Sequence, residues 1–327
     1  MKLKSLSIPA VVATLILGAS GGAVLTGNNG NGNGNGNGNG GPNGVKAAIY
    51  TDGISDYGVE RGTDASLYND WGNGWSEGET PSVLIYSHTP GPRHAHLGDR
   101  LDPGLNPPLN ESNVAQANLK EWLEAEGVEV SWTEDVGQLS RLGGYNGVIA
   151  LSANRDAYDD AAQNSLKKFV RGGGGFVGIH NAFGAEYNWP WYEGLLGGAN
   201  FYDHGPNREG TVETVNRKDV STENLPREWG YKDEWYNLVP FPSYVNVLAK
   251  VDAETSDPGR DSGHPGHGDN HPVSWCHYYD GGKSWLTTLG HDVNTWTDAE
   301  FEGSEYFKDH VVNGTLSAIG VKSFCQS

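Results

Sequence analysis

Short apolar runs alternate with amphipathic segments through the middle of the chain. Four runs have the length of buried strands, at 82–87 (SVLIYS), 128–132, 147–152 and 176–179. Between them, apolar residues recur at helical spacing in two segments, 115–123 and 156–170. The order strand, helix, strand, strand, helix, strand is typical of a mostly parallel sheet with helices on both faces. The pattern therefore predicts an α/β fold.

The later part of the chain is richer in turns and ends in a predicted hairpin. Its strands are expected at 273–279 and 284–289, joined by the turn DGGK and followed by Gly290-His291-Asp292. Before the regular pattern, 45–50 has the composition of one more strand, and 51–80 is polar and rich in Gly and Asp, with no predicted role. Ligands of such sheets bind beyond the carboxyl ends of the strands, so the loops there are the expected place for a site.

Residues 1–44 stand apart from this pattern. Lys2, Lys4, the apolar stretch 8–17 and the small-residue run GASGGA have the layout of a secretory signal peptide, which we predict at 1–26. The apolar stretch is short for a membrane span, so no stable membrane insertion is expected after cleavage; a retained anchor is the alternative. Residues 27–44 contain nine glycines and eight asparagines, a composition typical of a flexible linker.

These features predict a secreted, extracytoplasmic protein. The rest of the chain divides into an N-terminal extension at 45–81, a main domain at 82–320 and a C-terminal tail at 321–327. Lys2 and Lys4 are the only charged residues of the first 44, so the remainder carries a net charge of −21, against −19 for the whole chain. An acidic chain lacks the positive field that phosphate backbones require, which argues against a nucleic-acid partner.

The chain has only two cysteines, too few for a disulfide scaffold. Cys276 falls inside a predicted strand, where an inert buried thiol is the first interpretation. In an exported protein it could instead pair with Cys325 in the tail. The pattern G-x-S-x-G occurs twice, at 18–22 (GASGG) in the predicted signal peptide and at 74–78 (GWSEG) in the polar stretch 51–80. Neither match directly follows a predicted strand, so neither is interpreted as the nucleophile elbow of a serine hydrolase. The glycine run 172–175 precedes a strand and lacks the lysine of a phosphate-binding loop, so no nucleotide cofactor is expected.

Histidines are concentrated in the loops that follow the predicted strands. The positions are His88, His94, His96, His180 and His291. A doubly wound sheet would bring these loops to one rim, where imidazole can bind a metal or move protons near neutral pH. The alternative is that each is a hydrogen-bonded structural residue. The histidines of the loop 261–271 (His264, His267, His271) are interpreted as part of a mobile, solvated loop.

Two carboxylates and several aromatic residues complete the candidate chemistry. Asp233 and Glu234 stand together in KDEWYNL, and His204 lies in FYDHGP. Three histidines with a carboxylate and an open position suit zinc or a similar divalent ion such as manganese or calcium. Trp189, Trp191 and Trp235 could be stacking platforms for sugar rings, or simply core residues.

Five separated segments together resemble one known family. They are RHAH, GGGGFVGIHNAF, NWPWYEGLLGGANFYDHGP, LPREWGYKDEWYNL and HPVSWCHYYDGGKSWLTTLGHD, in this order. The chain is similar over 82–320 to the ThuA-like (trehalose utilisation) family, which belongs with the class I glutamine amidotransferase-like proteins. The resemblance implies a flavodoxin-like three-layer α/β/α sandwich.

The comparison with amidotransferases also shows what this chain lacks. Where those enzymes carry a cysteine nucleophile in a G-I-C-x-G turn, residues 178–182 are GIHNA. Where they carry a catalytic His-Pro-Glu, this chain has His291-Asp292. Glutamine hydrolysis through a cysteine is therefore excluded.

The resemblance implies a role in saccharide breakdown in which a sugar hydroxyl is first oxidised to a 3-keto group. The family's recurring positions correspond here to Arg93-His94, His180, His204, Asp233-Glu234, Tyr236 and Gly290-His291. The ketone acidifies the neighbouring C2 hydrogen, so a base can remove it and the glycosidic oxygen is expelled.

The working hypothesis is an exported, metal-assisted lyase or hydrolase acting on 3-keto-glycosides or related saccharides. In it, His94, His180 and His291 hold a metal or polarise the ketone, Asp233 or Glu234 takes the proton, and Tyr236 assists. The saccharide would contact Arg93, Asn181, Trp189, Trp191, His204 and Trp235. Because the chain is so acidic, neutral sugars are the first expectation. The alternatives are a non-catalytic carbohydrate-binding module with a vestigial site and a purely structural partner. No pattern indicates an oligomeric state.

Overall fold

The computed structural model of the protein describes residues 59–255 and 263–327. The predicted signal peptide, the Gly/Asn-rich linker and the predicted strand 45–50 lie outside the described residues. Within these ranges the chain forms twelve strands and five α-helices. The strands are β1 (Arg61–Gly62), β2 (Ser82–Tyr86), β3 (Glu129–Thr133), β4 (Gly147–Leu151), β5 (Gly175–Ile179), β6 (Phe201–His204), β7 (Arg208–Thr214), β8 (Glu228–Asp233), β9 (Tyr236–Leu238), β10 (Asn246–Asp252), β11 (Pro272–Tyr279) and β12 (Gly282–Thr287). The helices are α1 (Val114–Ala125), α2 (Asp160–Arg171), α3 (Pro190–Leu195), α4 (Asn294–Thr297) and α5 (Ser304–Ala318).

One mixed sheet organises the described fold. Its strand order is β3-β2-β4-β5-β12-β11-β10-β7-β8, with β1 added to β11. The pairs from β3 to β12 are parallel, and those from β12 to β8 are antiparallel. Following these pairings, only β11 and β7 run against the other strands of this order. The predicted α/β fold is thus confirmed, and β8 ends at the same edge as the parallel strands.

Alternate side chains of the parallel strands enter two separate cores. On one face, Val83 and Ile85 of β2 pack in the cluster that contains Leu119 of α1 and Phe307 of α5. On the other face, Leu84 joins the cluster of the helix α2. Because both faces are covered, these strands are apolar throughout, which is why their positions could be predicted from the sequence.

Close packing of α5 on the sheet depends on one glycine. A Cβ at Gly314 would lie 2.1 Å from Cε2 of Trp285, a fully buried side chain of β12. Helix α2 begins with Asp159, whose carboxylate accepts a hydrogen bond from the Ala162 N–H. It ends at Gly172, the predicted stop.

The hairpin near the end of the chain is present. Strands β11 and β12 pair from Ser274↔Thr287 to Tyr279↔Gly282. At the turn, Asp280 and Gly281 have φ values of 47° and 91°, as a tight hairpin with the natural strand twist requires. Residues that precede the main sheet pack against this turn, since the Asn69 N–H donates to the Gly281 carbonyl and β1 pairs with β11.

The two cysteines form a disulfide. The Cα atoms of Cys276 in β11 and Cys325 in the tail are 5.6 Å apart, and the sulfurs are bonded. The first interpretation of Cys276 as an inert thiol is therefore wrong. Asp219 supports the same junction, since its carboxylate accepts a hydrogen bond from the Gln326 N–H.

The described helices are all too short or too polar to cross a bilayer.

Candidate functional site

Four side chains converge at the carboxyl edge of the sheet. They are His94 after β2, His180 after β5, Glu234 after β8 and His291 after β12. Each offers one nitrogen or oxygen atom, and these four atoms lie within 4.8 Å of one another. The strands that carry them all point toward the same edge, so the loops that follow them meet. Sequence reasoning named all four; the structure adds that they form one cluster, which we call the rim cluster.

His180 is held in a strained turn and a defined tautomer. Its φ of 52° is in the left-handed region, which costs a non-glycine residue about 1–2 kcal/mol. Nδ1 donates a hydrogen bond to the Thr288 carbonyl at 2.8 Å, so Nε2 carries the lone pair and accepts from the Tyr236 hydroxyl at 2.8 Å. Complete burial holds the pKa of His180 well below its ordinary value, which keeps the ring neutral.

His94 brings an unpartnered nitrogen into the rim cluster. Its ring lies edge-on to those of His180 and His291, with centroid distances of 4.7 and 5.3 Å. The Nδ1 atom is buried and has no hydrogen-bond partner among the described residues. Burial, followed by the positive charge of His291, lowers the pKa of His94 to about 4, so this ring is also neutral. A buried lone pair without a partner is expected where a ligand completes the site.

Glu234 and His291 form an ion pair. Oε2 of Glu234 lies 3.0 Å from His291 Nδ1 and 3.5 Å from His204 Nε2. At 3.0 Å, the carboxylate of Glu234 and the His291 ring are close enough that each shifts the pKa of the other. Burial lowers the pKa of His291, but Glu234 more than reverses this and raises it. Burial also tends to raise the pKa of Glu234, while the neighbouring imidazoles pull it below its ordinary value.

Asp233, the other predicted base, is buried and does not line the cavity beside the rim cluster. Its carboxylate is fully buried and accepts hydrogen bonds from the backbone N–H groups of Gly290 at 2.7 Å, His291 at 3.1 Å and Glu234 at 2.8 Å. Burial raises the pKa of Asp233 to about 7 against the effect of these donors. Asp233 therefore fixes the backbone beneath His291 and Glu234, and its oxygens do not face a substrate.

His96 and His88 lie outside the rim cluster. His96 is completely buried, with Nδ1 3.0 Å from the His291 carbonyl and Nε2 2.9 Å from Ser152 Oγ. Burial and the neighbouring His94 lower the pKa of His96 to about 3. Through its contact with the His291 carbonyl, the His96 ring supports the loop that carries His291. His88 contacts the ring of Tyr86 on the other side of the β2 end.

A cavity of about 480 Å³ opens beside the rim cluster. Its polar lining includes His94, Asn154, Arg155, Asn181, His204 and Glu234. Its aromatic lining includes Tyr187, Phe201, Tyr202 and Tyr236. One wall is the small sheet in which β6 pairs with β9, so that His204 lies opposite Tyr236. The volume is in the range typical of small-ligand sites and suits one or two sugar rings.

The predicted tryptophan platforms do not line this cavity. Trp191 is buried and its indole N–H donates to Asp280 Oδ2 at 2.9 Å. Trp235 is buried and donates to the Arg208 carbonyl at 3.1 Å. Trp189 stacks on Trp191 at a centroid distance of 4.9 Å. Trp191 and Trp235 therefore have the core role that was the alternative interpretation, and Trp189 is partly buried against the same core as Trp191.

The aromatic surface that faces the cavity comes from residues that sequence reasoning missed. Tyr187 and Tyr202 are 41% and 51% exposed. Tyr187 is only two residues before Trp189, and Tyr202 is two before His204, so the right segments were singled out. The prediction of stacking platforms chose the larger tryptophans, although large aromatic residues are more often buried.

Arg93, another predicted saccharide contact, is occupied within its own loop. Its guanidinium donates to the carbonyls of Leu97 and Asp99 at 3.0 and 2.7 Å, and to the Glu134 carboxylate at 2.7 Å. It therefore shapes the loop that carries His94. Asn181 and His204 do line the cavity, as does Tyr236.

The described part of the histidine-rich loop packs against β9. The His271 ring is buried and its Nε2 donates to the Tyr236 carbonyl at 2.9 Å. His267 Nε2 accepts from the Leu238 N–H at 3.0 Å. The interpretation of these histidines as a solvated loop does not hold for His271, which instead supports the strand of Tyr236.

Comparisons with known proteins agree with this architecture. The family model described as ThuA, trehalose utilisation, matches residues 108–315, which contain His180, Glu234 and His291 but not His94. A ThuA-like protein from Bacteroides uniformis is 22% identical, with a TM-score of 0.56 over 74% of this chain and 92% of that one. A ThuA-like protein from Parabacteroides merdae is 18% identical, with a TM-score of 0.56 over 76% and 93%. At these identities the two structures establish the fold alone. No curated protein sequence matches the chain.

Proposed function

The chain belongs to the ThuA family, which is linked to trehalose utilisation, and on this premise we propose that it is a metal-assisted enzyme that cleaves 3-keto-glycosides. One observation carries the proposal. Three imidazoles and a carboxylate converge within 4.8 Å, and two of these groups, His94 and Glu234, line a cavity that suits a sugar. Such a constellation is typical of a site that both holds an ion and acts on a bound ligand.

The residues present fit a divalent transition metal. His94, His180, His291 and Glu234 would hold it, since His180 is fixed in the tautomer that a metal needs and His94 Nδ1 is otherwise unpartnered. This nitrogen-rich set favours zinc or manganese over calcium, which takes oxygen ligands. The bound ion would supply a Lewis acid for the ketone oxygen.

His204 has the geometry of the base. Its Nδ1 donates to the Gly205 carbonyl at 2.6 Å, which leaves the lone pair on Nε2, and the ring lines the cavity. Nε2 takes the proton from C2 of the 3-keto sugar. The C2–H electron pair then forms a double bond to C1 as the C1–O bond breaks, and the imidazolium returns the proton to the departing oxygen. Glu234, 3.5 Å from Nε2, stabilises the imidazolium in between.

A second candidate is a carbohydrate-binding module that needs no metal. It is favoured by the hydrogen bond from the Tyr236 hydroxyl to His180 Nε2, which already satisfies the lone pair that a metal would use. The same cavity and the same exposed tyrosines would then bind a sugar without cleaving it.

The test measures metal content and cleavage on the same preparations. The protein as purified, and after stripping and reloading with zinc or manganese, is analysed for bound metal and assayed with a 3-keto-glycoside and with its unoxidised parent. We expect one tightly bound ion per chain, cleavage of the 3-keto substrate only, and loss of both in His180→Ala. His88→Ala, at the same rim but outside the cluster, is the matched control and should retain both. Sugar binding without metal or cleavage would establish the binding module instead.

A further inference from the structure

One cationic side chain in the cavity has no part in the reaction proposed above. Arg155 follows β4, lines the cavity and is exposed. Among the described residues its guanidinium forms neither an ion pair nor a hydrogen bond. The guanidinium carbon lies 5.8 Å from the centre of the Tyr187 ring. The cavity also contains the carboxylate of Glu234, but Arg155 forms no ion pair with it. In a chain of net charge −19, an arginine that faces a cavity without pairing to a carboxylate is a candidate for contact with a ligand.

The backbone of Arg155 is held in place at some cost. Its φ of 57° lies in the left-handed region, which a residue with a side chain rarely adopts. Two hydrogen bonds enforce it, from the Arg155 N–H to the Gly184 carbonyl at 2.8 Å and from the Glu186 N–H to the Arg155 carbonyl at 3.0 Å. Such conformations persist where the surroundings impose them, and they are concentrated at functional sites.

The Arg155 side chain also packs closely against the backbone at Gly91. A Cβ at Gly91 would lie 2.3 Å from Arg155 Cγ and 3.0 Å from Asn154 Oδ1, so only glycine leaves the path open. The buried Asn154 amide accepts from the Gly91 N–H at 3.1 Å and donates to the Pro92 carbonyl at 2.6 Å. Arg155 is thereby joined to the loop that carries His94, at a fixed position relative to the rim cluster.

We propose that Arg155 binds an anionic substituent on the sugar, a carboxylate or a sulfate ester, so that the site selects acidic over neutral saccharides. A guanidinium matches either group through two parallel N–H···O hydrogen bonds. Positioned at the cavity, it also offsets the negative field of the chain. Arg93 cannot fill this role, because its donors are used by its own loop and by the Glu134 carboxylate. This inference rests on the proposed saccharide site, and it departs from trehalose, which carries no charge.

The test compares sugars that differ only in the substituent at C6, by calorimetric titration of the full chain. Methyl glucoside, methyl glucuronide and methyl glucoside 6-sulfate are titrated into the wild type, Arg155→Gln, Arg155→Lys and Gly91→Ala. We expect an acidic sugar to bind at least 10-fold more tightly than the neutral one, and Arg155→Gln to remove this preference. Arg155→Lys should keep part of it, since charge remains without the planar fork. Gly91→Ala should weaken it by displacing the arginine.

Arg217→Gln is the matched control, because it removes the same charge from an exposed position away from the cavity. If it lowers the preference as much as Arg155→Gln does, the effect belongs to the overall field and the proposal is wrong. Equal binding of all three sugars by the wild type also overturns it. A preference for the glucuronide or for the sulfate supports it and identifies the substituent.

Failure of this inference is distinguishable from failure of the proposed reaction. Cleavage of a neutral 3-keto-glycoside without any charge preference would leave the reaction standing and remove the anion subsite. Arg155-dependent binding of an acidic sugar without metal or cleavage would do the reverse.

Discussion

Buried histidines occur in two regions of this molecule, and they differ in what their nitrogens contact. His310 of α5 lies in the core, with Nδ1 2.8 Å from the Ser221 carbonyl and Nε2 2.8 Å from Ser274 Oγ. His94 in the rim cluster has a buried Nδ1 with no partner among the described residues. Burial lowers the pKa of both rings to about 4. Two neutral histidines thus differ in their contacts. Both nitrogens of His310 have a partner, whereas Nδ1 of His94 is open, with no partner among the described residues.

If the proposed function is correct, this difference separates residues that stabilise the fold from residues that bind a ligand. Burial and a shifted pKa are common to both regions, so neither identifies a site. An open nitrogen alone does not either, since Nδ1 of the buried His271 also lacks a partner among the described residues. The open nitrogen of His94 is distinguished by the other ligand atoms within 4.8 Å and by the adjacent cavity, where a bound group could remove the cost of an unpartnered polar atom.

The largest expected contrast is in stability. His310→Ala should lower the free energy of unfolding by about 2–4 kcal/mol, because it leaves the Ser221 carbonyl without its partner and a gap beside Trp285. His94→Ala should cost the metal-free protein about 1 kcal/mol or less, since no hydrogen bond is lost. Urea unfolding of metal-free samples measures both values.

In the presence of zinc, the order of the two losses in unfolding free energy should reverse, so that His94→Ala loses more than His310→Ala. A metal that binds only the folded chain stabilises it in proportion to the logarithm of its concentration, and His94→Ala should lose that increment while His310→Ala keeps it. An equal response of the two variants to zinc would show that the open nitrogen of His94 is not a ligand.

The parallel half of the sheet was predictable from the sequence, whereas in the antiparallel half only the hairpin of β11 and β12 was. Strands such as β2 and β4 are covered on both faces, so they are unbroken apolar runs. Strand β7 (REGTVET) is only partly buried, and its alternation is too weak to separate it from the surrounding turns. The hairpin of β11 and β12 was recognised because its turn residues are specific.

The sequence predicted the edge of the sheet at which the candidate site lies, but not the direction in which each side chain at that edge points. His94, His180 and His291 could be grouped because parallel strands end at one edge. Asp233 and Glu234 are adjacent in the chain, but one is bonded to backbone amides and the other faces the cavity. Adjacent residues at a strand end point in different directions, and a sequence does not show which neighbour each will meet.

A smaller effect concerns the hydrogen bond that closes the rim cluster. The Tyr236 hydroxyl and a metal compete for the lone pair of His180 Nε2, so Tyr236→Phe should raise the affinity for zinc by about 10-fold, the equivalent of one hydrogen bond. Competition with a fluorescent chelator measures this. Tyr187→Phe, which loses a hydroxyl bonded to the Phe201 carbonyl at the same cavity, is the control and should not change zinc affinity. Weaker zinc binding by Tyr236→Phe would mean that the tyrosine supports the metal site.

The smallest expected effect is the pH dependence of the Glu234–His291 ion pair in the metal-free protein. Glu234 has a lowered pKa, so its contribution is present above its unfolded value of 4.5 and is lost as the pH falls through the folded value. His291 has a raised pKa, so its contribution is present below 6.5 and is lost as the pH rises through the folded value. The pair should therefore stabilise the protein most between these two values. At side-chain exposures of 14% and 26% we expect about 1 kcal/mol. The difference in unfolding free energy between the wild type and His291→Gln should be largest near pH 5.5 and smaller at pH 8. A difference that does not change over this range would mean that the two groups are not charged together, and the distinction between the open rim and the neutral, complete core would then rest on His94 alone.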